Sequence, residues 1–284
     1  MFTAERHEPL LPFPRLPEEV KARYSISDLA LRPFGLYESD LKVDFNHRVR
    51  PYLVTQILES CTRDAQGEAV EQGFFWNLTV GKRIECLLSL TAFGEHSEIP
   101  FTFLCPNEAC GQELETELSL AEISALQPQA NEAEPVSIRF QDGVLALRRP
   151  TGSDQLGWLK SRFEDEETAV REMFRTLRLE GAVDAIDRVS FGELVQAVNE
   201  AMEEHDPLIN FNLRVQCPYC KAESPYEIDL EAFSLRWLRQ AQLSLLASVH
   251  RLAAHYHWSE QQVFAVPYRR RVYYLGLIEK EKKQ

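Results

Sequence analysis

Four of the chain's six cysteines fall in two short runs built alike, Cys105-Pro106-Asn107-Glu108-Ala109-Cys110 and Cys217-Pro218-Tyr219-Cys220. Thiolates are metal ligands, and two turns that each aim a pair of sulfurs one way supply the four donors of a tetrahedral zinc site. The expected ligands are Cys105, Cys110, Cys217 and Cys220, with structural Zn2+ as the cofactor. Around such an ion, with Zn–S bonds of about 2.3 Å, the sulfurs lie about 3.5–4 Å apart. Residues 111 to 216 must therefore leave the site and come back to it. Two other readings of these cysteines are a disulfide pair and four unrelated buried thiols. The absence of a secretory signal disfavours the first, and the doubled Cys-Pro step disfavours the second. The first pair is the wider, but its spacing stays within the usual ligand range.

Four thiolates leave no open coordination position for a water nucleophile, so the chemistry expected here is stapling and not catalysis. Histidine chemistry finds little support. His250, His255 and His257 lie close together, but no carboxylate, cysteine or serine stands beside them at a recognised spacing. No phosphate-cradling loop occurs among the 12 glycines. Neither a Gly-x-Ser-x-Gly elbow nor a His-Glu-x-x-His helix is present. A hydrolase with an unrecognised site is the weakest reading, and the chain is not expected to be an enzyme.

The net charge of −13 repels phosphate backbones at long range, which makes nucleic acid an improbable partner. Locally the balance reverses: Pro267 to Gln284 carries six basic residues, Arg269, Arg270, Arg271, Lys280, Lys282 and Lys283, against Glu279 and Glu281. Three consecutive arginines fan over about 200° of a helix, so at least one must face out while Val272, Leu275 and Ile278 pack inward. They either pair with the chain's own acidic surface or dock on an acidic partner. With Trp258, placed where two helices should meet, Arg269, Arg270 and Arg271 are the partner-binding candidates.

The elements that must position these residues follow from periodicity. Fold class is α+β: a mainly helical body, a four-cysteine zinc ribbon assembled from two distant knuckles, and a β-hairpin in the insertion between them. Residues 1–20, with prolines at 9, 12, 14 and 17, form either an extended arm that docks on a partner or a plain disordered terminus. Residues 21–98 read as a helical region. One helix spans 44–62, with Tyr52, Ile57, Leu58 and Cys61 on its buried face; the other spans 82–93, with Ile84, Leu87, Leu88 and Thr91 inward and Gly94 as its stop. Residues 99–120 and 211–230 are the ribbon. Residues 121–210 hold a hairpin, 136–140 and 144–147 joined through Gln141-Asp142-Gly143, and then three helices. The first is capped by Ser153 or Asp154 ahead of Leu156, Trp158, Leu159 and Phe163; the second stops at Gly181; the third starts after Ser190. Residues 231–284 are C-terminal helices, the longest from Phe233 to Tyr256, followed by a Ser259-Glu260-Gln261-Gln262 capping box and a break at Pro267. No run is a signal peptide or a membrane span, so the chain is expected in the cytoplasm.

Taken in order, these signals resemble baseplate assembly proteins of contractile-tailed phages and related extracellular contractile injection systems. The resemblance covers roughly residues 75 to 280. It rests on Leu78-Thr79-Val80-Gly81-Lys82-Arg83, Phe93-Gly94, the first knuckle, Arg148-Arg149-Pro150-Thr151-Gly152-Ser153-Asp154, the second knuckle with Asp229-Leu230, Tyr256-His257-Trp258-Ser259-Glu260 and Val266-Pro267-Tyr268-Arg269-Arg270-Arg271-Val272-Tyr273. It implies a non-enzymatic factor of the tail baseplate or its hub, with baseplate, hub or tape-measure proteins as partners and the four knuckle cysteines as metal ligands. The competing reading is a zinc-ribbon regulator that binds nucleic acid through the basic C-terminal helix.

Overall fold

The structure is a computed structural model that describes residues 10–92, 98–129, 135–140, 143–179 and 186–282. It is a mixed chain of helices and small antiparallel sheets. In chain order the first elements are β1 (Leu11–Pro12), α1 (Glu18–Tyr24), β2 (Leu29–Leu31), α2 (Arg50–Cys61), β3 (Thr62–Asp64), α3 (Gln72–Asn77) and α4 (Val80–Thr91). β2 pairs with both β1 and β3, a three-stranded sheet absent from the sequence reading because strands of two or three residues are too short to show a period. Residues 10 to 17 are not a free arm. Leu16 is buried, Leu11 and Phe13 pack on the same core, and the Phe13 ring lies 6.2 Å from Phe74.

α4 is the centre of this region. Of its twelve residues only Ser89 escapes full burial, so the expected one-sided helix is enclosed all round. Enclosure takes in Lys82, Arg83 and Glu85, and a charge is kept inside a fold only with partners. Lys82 Nζ donates to Glu85 Oε2 at 2.5 Å and to the Arg15 carbonyl at 2.7 Å. The Arg83 guanidinium donates to the Pro51 and Phe75 carbonyls at 2.7 and 2.8 Å and to Thr55 Oγ1 at 3.0 Å. Arg83 thus ties together α2, α3 and α4. Its burial lowers its pKa to about 10, so it still carries its charge at neutral pH.

β4 (Glu98–Leu104) leads into the first knuckle, and the insertion opens with β5 (Glu113–Ser119) and α5 (Leu120–Gln129). It continues with β6 (Val136–Phe140), β7 (Gly143–Leu147), α6 (Gly152–Lys160), α7 (Glu166–Leu177) and α8 (Phe191–His205). The β6–β7 hairpin forms as expected, with Val136 opposite Leu147, and its inner residues join Leu177, Leu194, Val198 and Met202 in a separate core. The Gln141-Asp142 turn and the expected stops at Gly94 and Gly181 lie outside the described residues. α6 is capped by Thr151 rather than Ser153 or Asp154. Thr151 Oγ1 accepts from the Asp154 amide, and the Asp154 carboxylate accepts from the Thr151 amide at 2.8 Å, a reciprocal box that the threonine two residues before Ser153 completes. Leu159 then falls on the exposed side of α6, as Tyr52 does on α2, where its ring meets Trp76 edge-on.

Two backbone bonds fasten α6 to α4: Val80 N–H donates to the Pro150 carbonyl at 2.8 Å and Gly152 N–H to the Leu78 carbonyl at 3.2 Å. Two glycines make room for this junction. A methyl at Gly152 would overlap the Arg83 guanidinium, and one at Gly81 the Asp206 carboxylate.

The chain closes with β8 (Asn212–Gln216), β9 (Glu223–Glu227), α9 (Leu230–Tyr256), α10 (Glu260–Ala265) and α11 (Tyr268–Glu281). At 27 residues α9 is about 40 Å long, and it serves three cores in turn: Leu230 and Phe233 with α4 and α5, Leu235 and Leu238 with α2, and Leu245, Val249 and Leu252 with α10 and α11. No helix among the described residues is long and apolar enough to cross a membrane. α11 departs from expectation, since Val272 is 48% exposed and Arg271, at 6%, turns inward with Ile278. Its guanidinium sits by the Phe264 and Tyr268 rings, 5.1 and 5.8 Å from their centroids, and donates to the Leu36 carbonyl. Aromatic faces and a carbonyl give a buried cation what a valine there would not use.

The glycine junction is directly testable. Gly152→Ala should lower stability by about 1–3 kcal/mol, the usual cost of forcing a group into packed space, whereas Gly157→Ala on the same helix, with open space at its Cβ, should cost nothing or stabilise. Chemical denaturation of the two variants measures the difference, and equal midpoints would remove the junction's claim.

Candidate metal centre

β4 and β5 pair along their full length, from Glu98 opposite Ser119 to Leu104 opposite Glu113, and Cys105 to Cys110 occupy the turn at their tip. β8 and β9 do the same, from Asn212 opposite Glu227 to Gln216 opposite Glu223, with Cys217 to Cys220 at the tip. The two turns close alike. Cys105 N–H donates to the Gln112 carbonyl at 2.8 Å and Cys217 N–H to the Ala222 carbonyl at 2.9 Å. In both, the residue after the second cysteine takes a left-handed conformation, Gly111 at φ 53° and Lys221 at φ 63°. The first turn absorbs its two additional residues around Asn107, whose carbonyl accepts from the Cys110 and Gly111 amides and whose side chain accepts from the Ala109 amide.

The sulfurs converge across the hairpins. Cys105 Sγ lies 3.6 Å from Cys220 Sγ, Cys110 Sγ lies 3.8 Å from Cys217 Sγ, and all four fall within 4.8 Å of one another. A disulfide needs about 2.05 Å, so the expected alternative of a bonded pair does not describe this geometry, and all six cysteines are free. The other two, Cys61 and Cys86, are buried packing residues, as expected. Sulfurs 3.6–3.8 Å apart match the edges of a tetrahedron around an ion with metal–sulfur bonds of about 2.3 Å. The four cysteines therefore form a cluster that can hold a metal ion.

Electrostatics point the same way. Amides of Cys220 and Tyr219 aimed at Cys217 hold its thiol down at about 7, below the ordinary thiol range. Burial, with the neighbouring sulfurs, pushes Cys105 up to about 12. Full ionisation of four thiols in contact requires a cation among them.

Side chains to which the sequence reading gave no part in the metal site hold the two hairpins together. Tyr226 on β9 donates its hydroxyl to the Leu104 carbonyl at 3.1 Å, and its ring packs 4.4 Å from Phe103. Leu114 and Val215 complete an apolar floor under the sulfurs. α9 starts directly behind β9, where the Asp229 carboxylate caps it by accepting from the Ala232 amide at 2.8 Å and pairs with Arg50 at 2.6 Å. The alternation of Tyr226, Ile228 and Leu230 carried this signal, because it placed Tyr226 on the face that meets the other hairpin.

The remaining candidates lie at the far end of α9. Trp258 is half-buried, stacked 4.8 Å from Tyr256 and edge-on to Tyr274 at 5.7 Å, and joins α9 to α10 and α11. Of the three arginines, Arg271 is engaged by the fold and drops out as a docking residue, while Arg269 and Arg270 face outward. Of the histidines, His255 pairs with Glu281 at 3.4 Å.

Comparison of the chain with protein-family models, with curated proteins and with solved structures returned no match.

Two outcomes are expected from perturbing these residues. Cys217→Ser should loosen both hairpins, so hydrogen exchange should speed up across residues 98–119 and 212–227 while α2 and α4 keep their protection; unchanged exchange in the hairpins would show that the sulfurs do not hold them. Trp258→Ala should destabilise more than Trp158→Ala, because the half-buried Trp258 ring packs on Tyr256 and Tyr274 where three helices join. Equal denaturant midpoints for the two would assign Trp258 no such role.

Proposed function

We propose that the chain is a non-enzymatic, zinc-stapled assembly factor or structural component of the baseplate hub of a contractile tail or injection system. The observation that carries the reading is the convergence of Cys105, Cys110, Cys217 and Cys220 at the tips of two hairpins separated by the whole insertion. On this reading the paired hairpins are a zinc ribbon. A bound zinc ion would supply a fixed cross-link, with every coordination position taken by sulfur and none left to activate water. Asn107, Gly111, Lys221 and Tyr226 would set the turns and the spacing of the hairpins around it.

The assembly itself is inferred from the sequence resemblance. Two of the blocks on which it rests, residues 78–83 and 148–154, are fastened to each other at the α4–α6 junction, and a third, residues 256–273, builds the joint around Trp258. A frame of this kind suits a protein that presents surfaces in a fixed relation to baseplate, hub or tape-measure proteins. Replacing the gene with a Cys217→Ser copy in the producing strain, followed by electron microscopy of purified particles, tests the reading. Loss of complete sheathed particles, with unassembled tubes or sheaths in their place, is expected. Normal numbers of particles that contract would contradict it.

A further inference from the structure

We infer that the outer face of α11 is a docking surface for an acidic, amphipathic segment of another protein. The helix segregates its charges. At about 100° per residue, Arg269, Tyr273 and Lys280 stack on the side opposite the buried Arg271 and Ile278, with Val272 and Arg270 at the margins. The two glutamates lie on the flanks, and both turn back to α9: Glu279 pairs with Arg251 at 3.1 Å and Glu281 with His255 at 3.4 Å. What remains outward is basic and aromatic.

Two alternatives to docking were open for these arginines, burial and pairing with the chain's own acidic surface. Burial takes Arg271 alone. Neither Arg269 nor Arg270 forms an ion pair among the described residues, although the chain carries 44 acidic side chains against 31 basic ones. Arg270 is instead held in place by its own helix, donating to the Tyr274 hydroxyl at 2.8 Å with its guanidinium 5.7 Å from that ring. An arginine fixed in advance loses less freedom on binding. Tyr273 beside it is 67% exposed. An exposed tyrosine and arginines free of ion pairs are the residue types that dominate binding energy at protein interfaces.

The charge of the rest of the molecule selects the partner. A net −13 opposes the approach of a long phosphate backbone, but a short segment with a few carboxylates meets chiefly the local cations, within about 8–10 Å at physiological ionic strength. Tyr273 lies between the cations and Val272 at their margin, so the fitting ligand interleaves Asp or Glu with leucine or aromatic residues. This inference does not depend on the baseplate reading, since it names a chemistry and not an assembly.

Selection of a monovalently displayed library of random peptides on the intact chain tests it. The expected winners combine acidic with apolar residues, and their affinity falls about tenfold or more for the Arg269→Glu/Arg270→Glu protein, a loss of hot-spot size. That variant should melt with the wild type. Arg236→Glu/Arg239→Glu, the same change of charge on exposed positions of α9, should bind as the wild type does. Winners without acidic residues, undiminished binding by the α11 variant, or equal loss in the α9 variant would overturn the proposal. So would salt-sensitive binding of duplex DNA that the α11 variant abolishes, which would make the face a phosphate contact, or self-association in sedimentation that it abolishes, which would make the occupant a second copy.

Discussion

Four sulfurs within 4.8 Å of one another are the constraint from which the architecture follows. As neutral thiols they could share that space, but as thiolates they repel one another unless a cation lies between them. Two of their separations, 3.6 and 3.8 Å, are those of a tetrahedral metal site, and both are much longer than a disulfide allows. Their positions fix the tips of two hairpins, so the inserted segment must begin and end at one point in space. It does so without a shared sheet, because each hairpin keeps its own two strands.

A second closure lies on the other side of the same insertion. Val80 and Gly152 exchange backbone bonds with Pro150 and Leu78, Gly152 leaves room for Arg83, and Gly81 leaves room for Asp206, six residues before β8 begins. The insertion is therefore held at its ends by the cysteines and at intermediate points by α4. Arg83 is the member that cannot be exchanged cheaply. Its guanidinium satisfies carbonyls from two other helices, and removing it would take a buried donor from the Phe75 carbonyl and one of two from the Pro51 carbonyl, which Thr55 Oγ1 also serves at 2.9 Å. α9 carries these closures outward along about 40 Å to the Trp258 joint and α11.

The parts of this molecule that were legible in its sequence are those with a strong local signature. Cys-Pro steps marked both turns, apolar residues at three- and four-residue spacing marked α9, and Ser259 with Gln262 marked the cap of α10, which forms as a reciprocal box. What was not legible depends on the environment of single side chains. Arg271 and Val272 exchange their expected places because a buried arginine here finds two rings and a carbonyl, information that lies in Phe264, Tyr268 and Leu36 and not in the helix itself. The sheet of β1, β2 and β3 escaped for a different reason, its strands being shorter than one period of alternation can register. Asp40 is a third case. Fully buried, it gathers the Gly35, Leu36 and Tyr37 amides and Arg32 around one carboxylate, a network whose members become neighbours only through a tight turn.

The central claim is that the four cysteines are the ligands of one zinc ion. Zinc-edge X-ray absorption on protein purified without chelator tests it most directly, since it counts the neighbours of the metal and measures their distances. The account predicts one zinc per chain with four sulfur neighbours at about 2.3 Å and no nitrogen or oxygen ligand. A fully folded protein that carries no metal, or a zinc ion bound through oxygen or nitrogen, would contradict it.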